Sequence, residues 1–200
     1  MLMRVVLPAA IVAVIVAVPL LHKVNRVATV RNLRVVEPDV FYRSGQMRPG
    51  AFERVLRERN IRTVFSVRES KLAAGDQSDE FEKVHCEATG RKFHRLPQPG
   101  WEVGDHGITG EETVRVFLNL LADPEESPRP MLLHCFAGEH RTGAMVAVYR
   151  MEYNGWRNGE AIEEMTSVGN IRTSYAKSLL TYLTNYAPRR VSAGEPDRKR

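Results

Sequence analysis

Residues His134 to Gly143, His-Cys-Phe-Ala-Gly-Glu-His-Arg-Thr-Gly, leave this chain little freedom of architecture. They follow Met131-Leu132-Leu133, an apolar run that reads as a short buried strand. They precede Ala144-Met145-Val146-Ala147-Val148-Tyr149, which reads as a buried helix. A cysteine therefore ends a strand, a loop follows, and the loop closes on a helix N-terminus. Such a loop turns backbone N–H groups inward and the helix dipole adds positive potential, so the place suits an anion. The same field favours the thiolate of Cys135 near neutral pH. Arg141 returns at the far end of the loop, where its planar fork matches two oxygens of one phosphate. A nucleophile, a cradle made by Phe136, Ala137, Gly138, Glu139, His140 and Arg141, and an arginine clamp together suit attack on a phosphate ester.

The pattern C-x-x-x-x-x-R-T-G, preceded by His134 and with Gly138 inside it, resembles the signature of the cysteine-dependent protein tyrosine phosphatase superfamily. A second block is softer. Phe41-Tyr42-Arg43-Ser44-Gly45-Gln46, then a helical stretch, then Ile61-Arg62-Thr63-Val64-Phe65-Ser66-Val67-Arg68 is similar to the N-terminal part of atypical dual-specificity phosphatases of bacteria, fungi and plants. The two blocks carry the resemblance over about residues 40–187, the size of one domain. The expected fold is α/β: helices on both faces of a central, mostly parallel sheet, with the site at the strands' C-terminal ends.

The resemblance implies hydrolysis through a phosphocysteine on Cys135. Arg141 and the loop amides hold the phosphoryl oxygens, Thr142 Oγ donates to the departing thiolate, and His134 orients the loop. No metal or organic cofactor is required. A thiolate attack also needs a proton for the leaving oxygen. In the family an aspartate on a loop before the cysteine supplies it. The long glycine-rich loop Gln98 to Gly107 offers Asp105 for that role, with Glu102 and then His106 as alternatives, although no tryptophan-proline-aspartate triplet marks it. Trp101 is either a wall for an aromatic substrate or an anchor of the loop.

Local patterns fill in the other elements. Pro49 opens a helix to about Asn60, with Phe52, Val55 and Leu56 on its apolar face. Ile61 to Val67 alternates and reads as a strand. Ser78 can cap a helix carrying Phe81, Val84 and Ala88 inward and stopping at Gly90; Cys86 falls in it as a small buried hydrophobe. Lys92 to Pro97 is the next strand. Thr109 and Glu112 form a capping box before Val114, Phe117, Leu118 and Leu121. Asn154-Gly155 stops the site helix, and further helices are expected near Glu160–Thr166 and Ser174–Tyr186.

With 43% hydrophobic and 26% charged residues the chain fits a globular class. The net charge of +5 gathers near the ends and suits an anionic membrane surface better than a nucleic acid, so no nucleic-acid partner is expected. Two cysteines make no disulfide scaffold and fit a thiol enzyme in a reducing compartment. His85-Cys86 and His134-Cys135 lack the close spacing of a zinc site, so no metal is expected. Val5 to Leu21 is apolar apart from Pro8 and Pro19, which makes residues 1–22 a transmembrane or signal-anchor helix, with a cleaved signal as the alternative. Lys23, Arg26, Arg31 and Arg34 follow it against Arg4 before it, which places the catalytic bulk in the cytoplasm; signal cleavage would export it instead. Residues 23–39 read as a basic linker and 188–200 as a disordered basic tail.

The expected substrate is a phosphorylated protein, at tyrosine or at serine and threonine, or a small phosphoester. Relatives that take inositol pyrophosphates or phosphoinositides carry lysine or arginine inside the loop, where this chain has Ala137 and Glu139. A carboxylate facing the pocket would repel extra phosphates. Two other classes share the motif's parts: a membrane-tethered phosphate-binding pseudophosphatase, and a rhodanese-type sulfurtransferase. Intact Cys135, Arg141 and Thr142 argue against the first, and the Arg141-Thr142-Gly143 ending with the long preceding acid loop favours the phosphatase over the second.

Overall fold

The fold is that of a computed structural model, which describes residue 17 and residues 30–68, 79–96, 110–169 and 174–189. Its strands are β1 (Arg34–Glu37), β2 (Phe41–Gly45), β3 (Thr63–Ser66), β4 (Lys92–Arg95) and β5 (Met131–Cys135). They form one sheet in the order β1-β2-β5-β3-β4. β1 pairs antiparallel with β2, and every other pairing is parallel. β5, the latest strand in the chain, lies in the middle. Its five residues are all buried, as a strand covered on both faces requires.

The helices among the described residues are α1 (Pro49–Glu58), α2 (Glu80–Ala88), α3 (Gly110–Ala122), α4 (His140–Tyr153), α5 (Asn158–Val168) and α6 (Ser174–Thr184). The period of two along each strand sorts side chains between two cores. Tyr42, Val64 and Leu132 join Phe52, Val55 and Leu56 of α1 and Cys86 of α2 on one face. Phe41, Phe65, Met131 and Leu133 join α3, α4, α5 and α6 on the other. There Phe65 meets Phe117 edge-on at 5.3 Å, and Phe41 meets Tyr149 at 4.7 Å. α4 is buried from Thr142 to Tyr149, as an apolar run without a polar face demands. The α/β architecture with a mixed, mostly parallel sheet is therefore the expected one.

Two expectations fail for physical reasons. The basic linker was expected over 23–39, yet Arg34–Glu37 is strand β1, and Val30 and Leu33 pack against the α1 core. Only Val36 of that strand is buried, so its charged neighbours Arg34 and Glu37 sit where an edge strand tolerates them. Glu37 Oε2 also accepts a 2.7 Å hydrogen bond from Tyr149 Oη, tying β1 to α4. In α2 the face is rotated. Phe81 and Val84 are 39% and 56% exposed and Ala88 is exposed, while Asp79, Glu82 and Cys86 turn inward. Phe81 packs edge-on against Phe52 instead.

Smaller differences are matters of ends. The strand expected over Ile61–Val67 is Thr63–Ser66, and Lys92–Pro97 becomes Lys92–Arg95, although Val67 and Leu96 continue the backbone pairing. Leu118 is only half-buried. Gly155, at φ +67°, follows the end of α4 as expected. Ser78, Thr109, the tail from residue 190 and the apolar run Val5–Leu21, save Ala17, lie outside the described residues. Among the described residues no helix is long and apolar enough to cross a membrane.

Phe65 is fully buried where the sheet meets α3. Phe65→Ala should lower the unfolding free energy by about 3–5 kcal/mol, read from the urea midpoint by circular dichroism.

Candidate active site

Cys135 is the last residue of β5 and is 4% exposed. Its register partner on β2 is Gly45. From there the loop curls back, and Gly138 N–H donates to Cys135 Sγ at 3.3 Å. Gly138 has φ +77°, and a Cβ on it would lie 2.5 Å from the Ser44 carbonyl carbon. A side chain is thus refused twice, by conformation and by the strand it touches.

Three donors approach the loop from outside. Gln46 N–H donates to Phe136 O at 3.1 Å, Asn32 Nδ2 to Ala137 O at 2.8 Å, and Arg43 Nη2 to Gly138 O at 2.8 Å. Three successive carbonyls are therefore held outward, which turns the loop's N–H groups toward the anion position. Arg43 is 2% exposed. Burial pushes its pKa down to about 10, against the pull of Glu164 and Cys135, so it stays a cation at neutral pH.

The thiol itself is biased toward the thiolate. Burial acts to raise it, but bonding from the Thr142 side chain and N–H and from Gly138 N–H, with the charge of His134, outweighs burial and lowers its pKa. The Thr142 hydroxyl is buried in the first turn of α4 with no conventional hydrogen-bond partner, which leaves it available to sulfur. Arg141, half-buried, occupies the same turn. Cys86 contrasts with Cys135. Burial, then Glu82, pushes its thiol up to about 12, which fits the inert small hydrophobe expected there.

The mouth of the site is aromatic and basic. Phe136 is 56% exposed, and the guanidiniums of Arg31 and Arg68 lie 5.2 and 4.9 Å from its ring centroid. Arg68 thus stands on the rim of the loop. Glu139 does not stand free at the cradle. Its carboxylate accepts from Asn32 Nδ2 at 3.2 Å and its side chain crowds Gly169. His134 points away from the loop, to the opposite face of the sheet, where its Nε2 pairs with Glu82 Oε2 at 2.8 Å.

The structure brings together His134, Cys135, the loop from Phe136 to Arg141, and Thr142. Asp105, Glu102, His106 and Trp101 lie outside the described residues. Asn32, Arg43 and Glu82 were not singled out from sequence. Arg43 did carry a signal, because a cation inside a short buried strand needs acceptors. Asn32 carried none, since its partner is 105 residues away.

A cysteine biased toward its thiolate at the end of a central parallel strand, under a loop that closes onto a helix, is the arrangement of the cysteine-based phosphatase class. The chain belongs to the family described as a DSP-PTPase phosphatase fused to NAD+ kinase, whose model matches residues 15–180. It is 40% identical over 62 residues to the dual specificity protein phosphatase TpbA of Pseudomonas aeruginosa. That match covers 31% of this chain and 28% of the relative's length. The crystal structure of P. aeruginosa TpbA superposes with a TM-score of 0.58 at 25% identity, covering 78% of this chain and 86% of that one. The catalytic core of Siw14 from S. cerevisiae also gives 0.58, at 18% identity over 78% and 85% of the two chains, and shares the fold.

Gly138→Ala should abolish vanadate binding, measured by tryptophan fluorescence or calorimetry, because the loop cannot both keep its φ and clear Ser44. Retained binding would show that the loop adapts.

Proposed function

We propose that this protein hydrolyses phosphate monoesters through a phosphocysteine intermediate. The observation that carries the proposal is the buried Cys135 sulfur receiving the Gly138 N–H while three outward carbonyls brace the loop around it. Cys135 thiolate attacks phosphorus in line, a P–S bond forms, and the P–O bond to the leaving group breaks. The leaving oxygen takes a proton from Asp105, with Glu102 as the alternative acid. The carboxylate so formed then takes a proton from water, which attacks phosphorus. The P–S bond breaks, inorganic phosphate leaves, and Thr142 Oγ donates to the returning thiolate. Arg141 and the loop amides from Phe136 to Arg141 hold the equatorial oxygens in both steps, and that fixed donor array supplies most of the rate.

The substrate we favour is a phosphorylated protein. TpbA is a dual specificity protein phosphatase by name, and a variant of it has been solved with phosphotyrosine. The Arg31–Phe136–Arg68 mouth offers an aromatic surface to such a residue.

Para-nitrophenyl phosphate hydrolysis by the full-length chain in mild detergent is the test. Cys135→Ser should lose more than about a thousandfold in kcat. Asp105→Asn should lose roughly a hundredfold, mainly by removing the limb of the pH profile that needs a protonated acid. Vanadate binding without turnover in the unmodified chain would replace hydrolysis by phosphate binding alone. Full activity in Asp105→Asn would transfer the acid's role to Glu102.

We also propose that Val5–Leu21 anchors the protein in a membrane with the catalytic domain in the cytoplasm. The support is the apolar character of that run, broken only by Pro8 and Pro19, and the basic residues Lys23, Arg26, Arg31 and Arg34 after it. The chain should stay with membranes under alkaline carbonate extraction, and protease added outside intact cells should leave it whole. Recovery in the carbonate supernatant would refute the anchor.

A further inference from the structure

Beyond the loop, the sheet carries a second buried polar system. His134 and Cys135 are consecutive strand residues, so they face opposite sides of the sheet. On the side of His134, the strand pairings put Ser44, His134, Ser66 and Arg95 in one row across β2, β5, β3 and β4. The row two residues earlier, Tyr42, Leu132, Val64 and Phe93, is apolar. Polar residues replace the apolar core only in the last row, directly behind the catalytic loop.

The start of α2 faces this row with two carboxylates, its N-cap Asp79 and Glu82, and they are used differently. Asp79 accepts from Ser66 Oγ at 2.8 Å and from Arg95 Nε and Nη2 at 3.1 and 2.7 Å. Its charge is answered by Arg95. Glu82 meets His134, and both side chains are 2% exposed. Among the described residues no lysine or arginine pairs with Glu82, and its Oε1 is buried without a hydrogen-bond partner, as is Ser44 Oγ. A buried carboxylate requires a compensating cation, and the imidazole is the group in place to be one.

We propose that Glu82 is a positioning residue for the nucleophile: from α2, across the sheet, it holds His134 as an imidazolium and through it keeps Cys135 ionised. This rests on Cys135 being the nucleophile of the proposed reaction. Burial acts to lower the pKa of His134, but Glu82 and Cys135 outweigh it and raise it above the ordinary value. The sign of the effect on sulfur follows from the order of the charges. Glu82 alone would disfavour a thiolate, but it stands beyond the imidazole, so the cation is nearer the sulfur. The other groups around the pair do not replace it. Arg43 from β2 spends its Nη2 on the loop carbonyls, Asp79 and Arg95 neutralise one another, and Cys86 of α2 is held as a neutral thiol. α1 presents Phe52, Val55 and Leu56 to this core, α4 brings Thr142 to the sulfur, and His140 and Arg141 open α4 at the end of the loop farthest along the chain from Cys135.

The test is the pH dependence of alkylation of Cys135 by iodoacetamide, followed by mass spectrometry of the Cys135 peptide in the full-length chain. Glu82→Gln keeps the shape and removes the charge. The alkylation midpoint should move up by about one pH unit or more, the size of shift an adjacent opposite charge commonly makes, with the high-pH rate unchanged. The acidic limb of kcat/KM should move with it. In a His134→Asn background the same change at Glu82 should move the midpoint no further, because its route to sulfur is gone. An unshifted midpoint in folded Glu82→Gln, checked by far-ultraviolet circular dichroism, would overturn the proposal, as would a loss of rate at every pH without a shift. Should Glu82→Gln not fold, the nitrogen-15 spectrum of the imidazoles in the unmodified protein decides. Both ring nitrogens of His134 protonated at about pH 7 supports the pair, and a neutral imidazole there refutes it. Alkylation needs no turnover, so a shifted midpoint in a protein that hydrolyses nothing would leave this proposal standing and remove the phosphatase reading alone.

Discussion

Backbone pairing on both sides of β5 fixes Cys135 before any side chain acts. β2 and β3 run parallel to it in register, so Gly45, Cys135 and Ser66-Val67 reach the same edge of the sheet together. That edge, at a central strand whose neighbours come from earlier in the chain, is where open α/β sheets form a crevice. Cys135 therefore cannot shift without breaking ladder bonds to two strands at once. The loop after it inherits this rigidity through direct contact, since Gly138 lies against the Ser44–Gly45 backbone with no room for a side chain.

An anion cradle made of backbone has an inherent cost, because every inward N–H leaves a carbonyl pointing elsewhere. Here the outward carbonyls are each met by a donor from a different part of the chain: Asn32 before β1, Arg43 in β2 and Gln46 after it. Arg43 can serve because it is buried on the same side as Cys135, and its lowered pKa of about 10 still leaves it charged. The cradle is thus organised before substrate arrives, which is the condition under which such dipoles stabilise a transition state most. Acidic and basic groups then alternate through the thickness of the sheet: Glu82, His134, Cys135.

Much of this was legible where cause and effect are close in sequence. The strand, loop and helix around Cys135 are one contiguous stretch, and their periodicity and motif agree. α1, β3 and α3 also declared themselves by local apolar spacing. The failures share another cause. β1 is an edge strand with Val36 as its buried residue, so its charged residues resemble a linker. The inward face of α2 is chosen by a polar row assembled from β2, β5, β3 and β4, which no window of sequence contains. Placing Phe81 and Val84 inside follows from hydrophobicity alone; Asp79 and Glu82 are inside because Ser66, Arg95 and His134 are waiting for them. Asn32 belongs to the same class, a residue whose meaning lies a hundred positions further on.

Asn32 and Arg31 have one more consequence, which is spatial. They touch the catalytic loop, and Arg31 stands ten residues and Asn32 eleven after Leu21, the end of the apolar run. Ten residues of fully stretched chain span no more than about 35 Å. A membrane holding Val5–Leu21, as proposed above, would therefore lie within that distance of the loop residues that Arg31 touches. If that run is the membrane anchor proposed above, the site would survey a shallow layer rather than a volume, and a substrate would have to bring its phosphate into that layer.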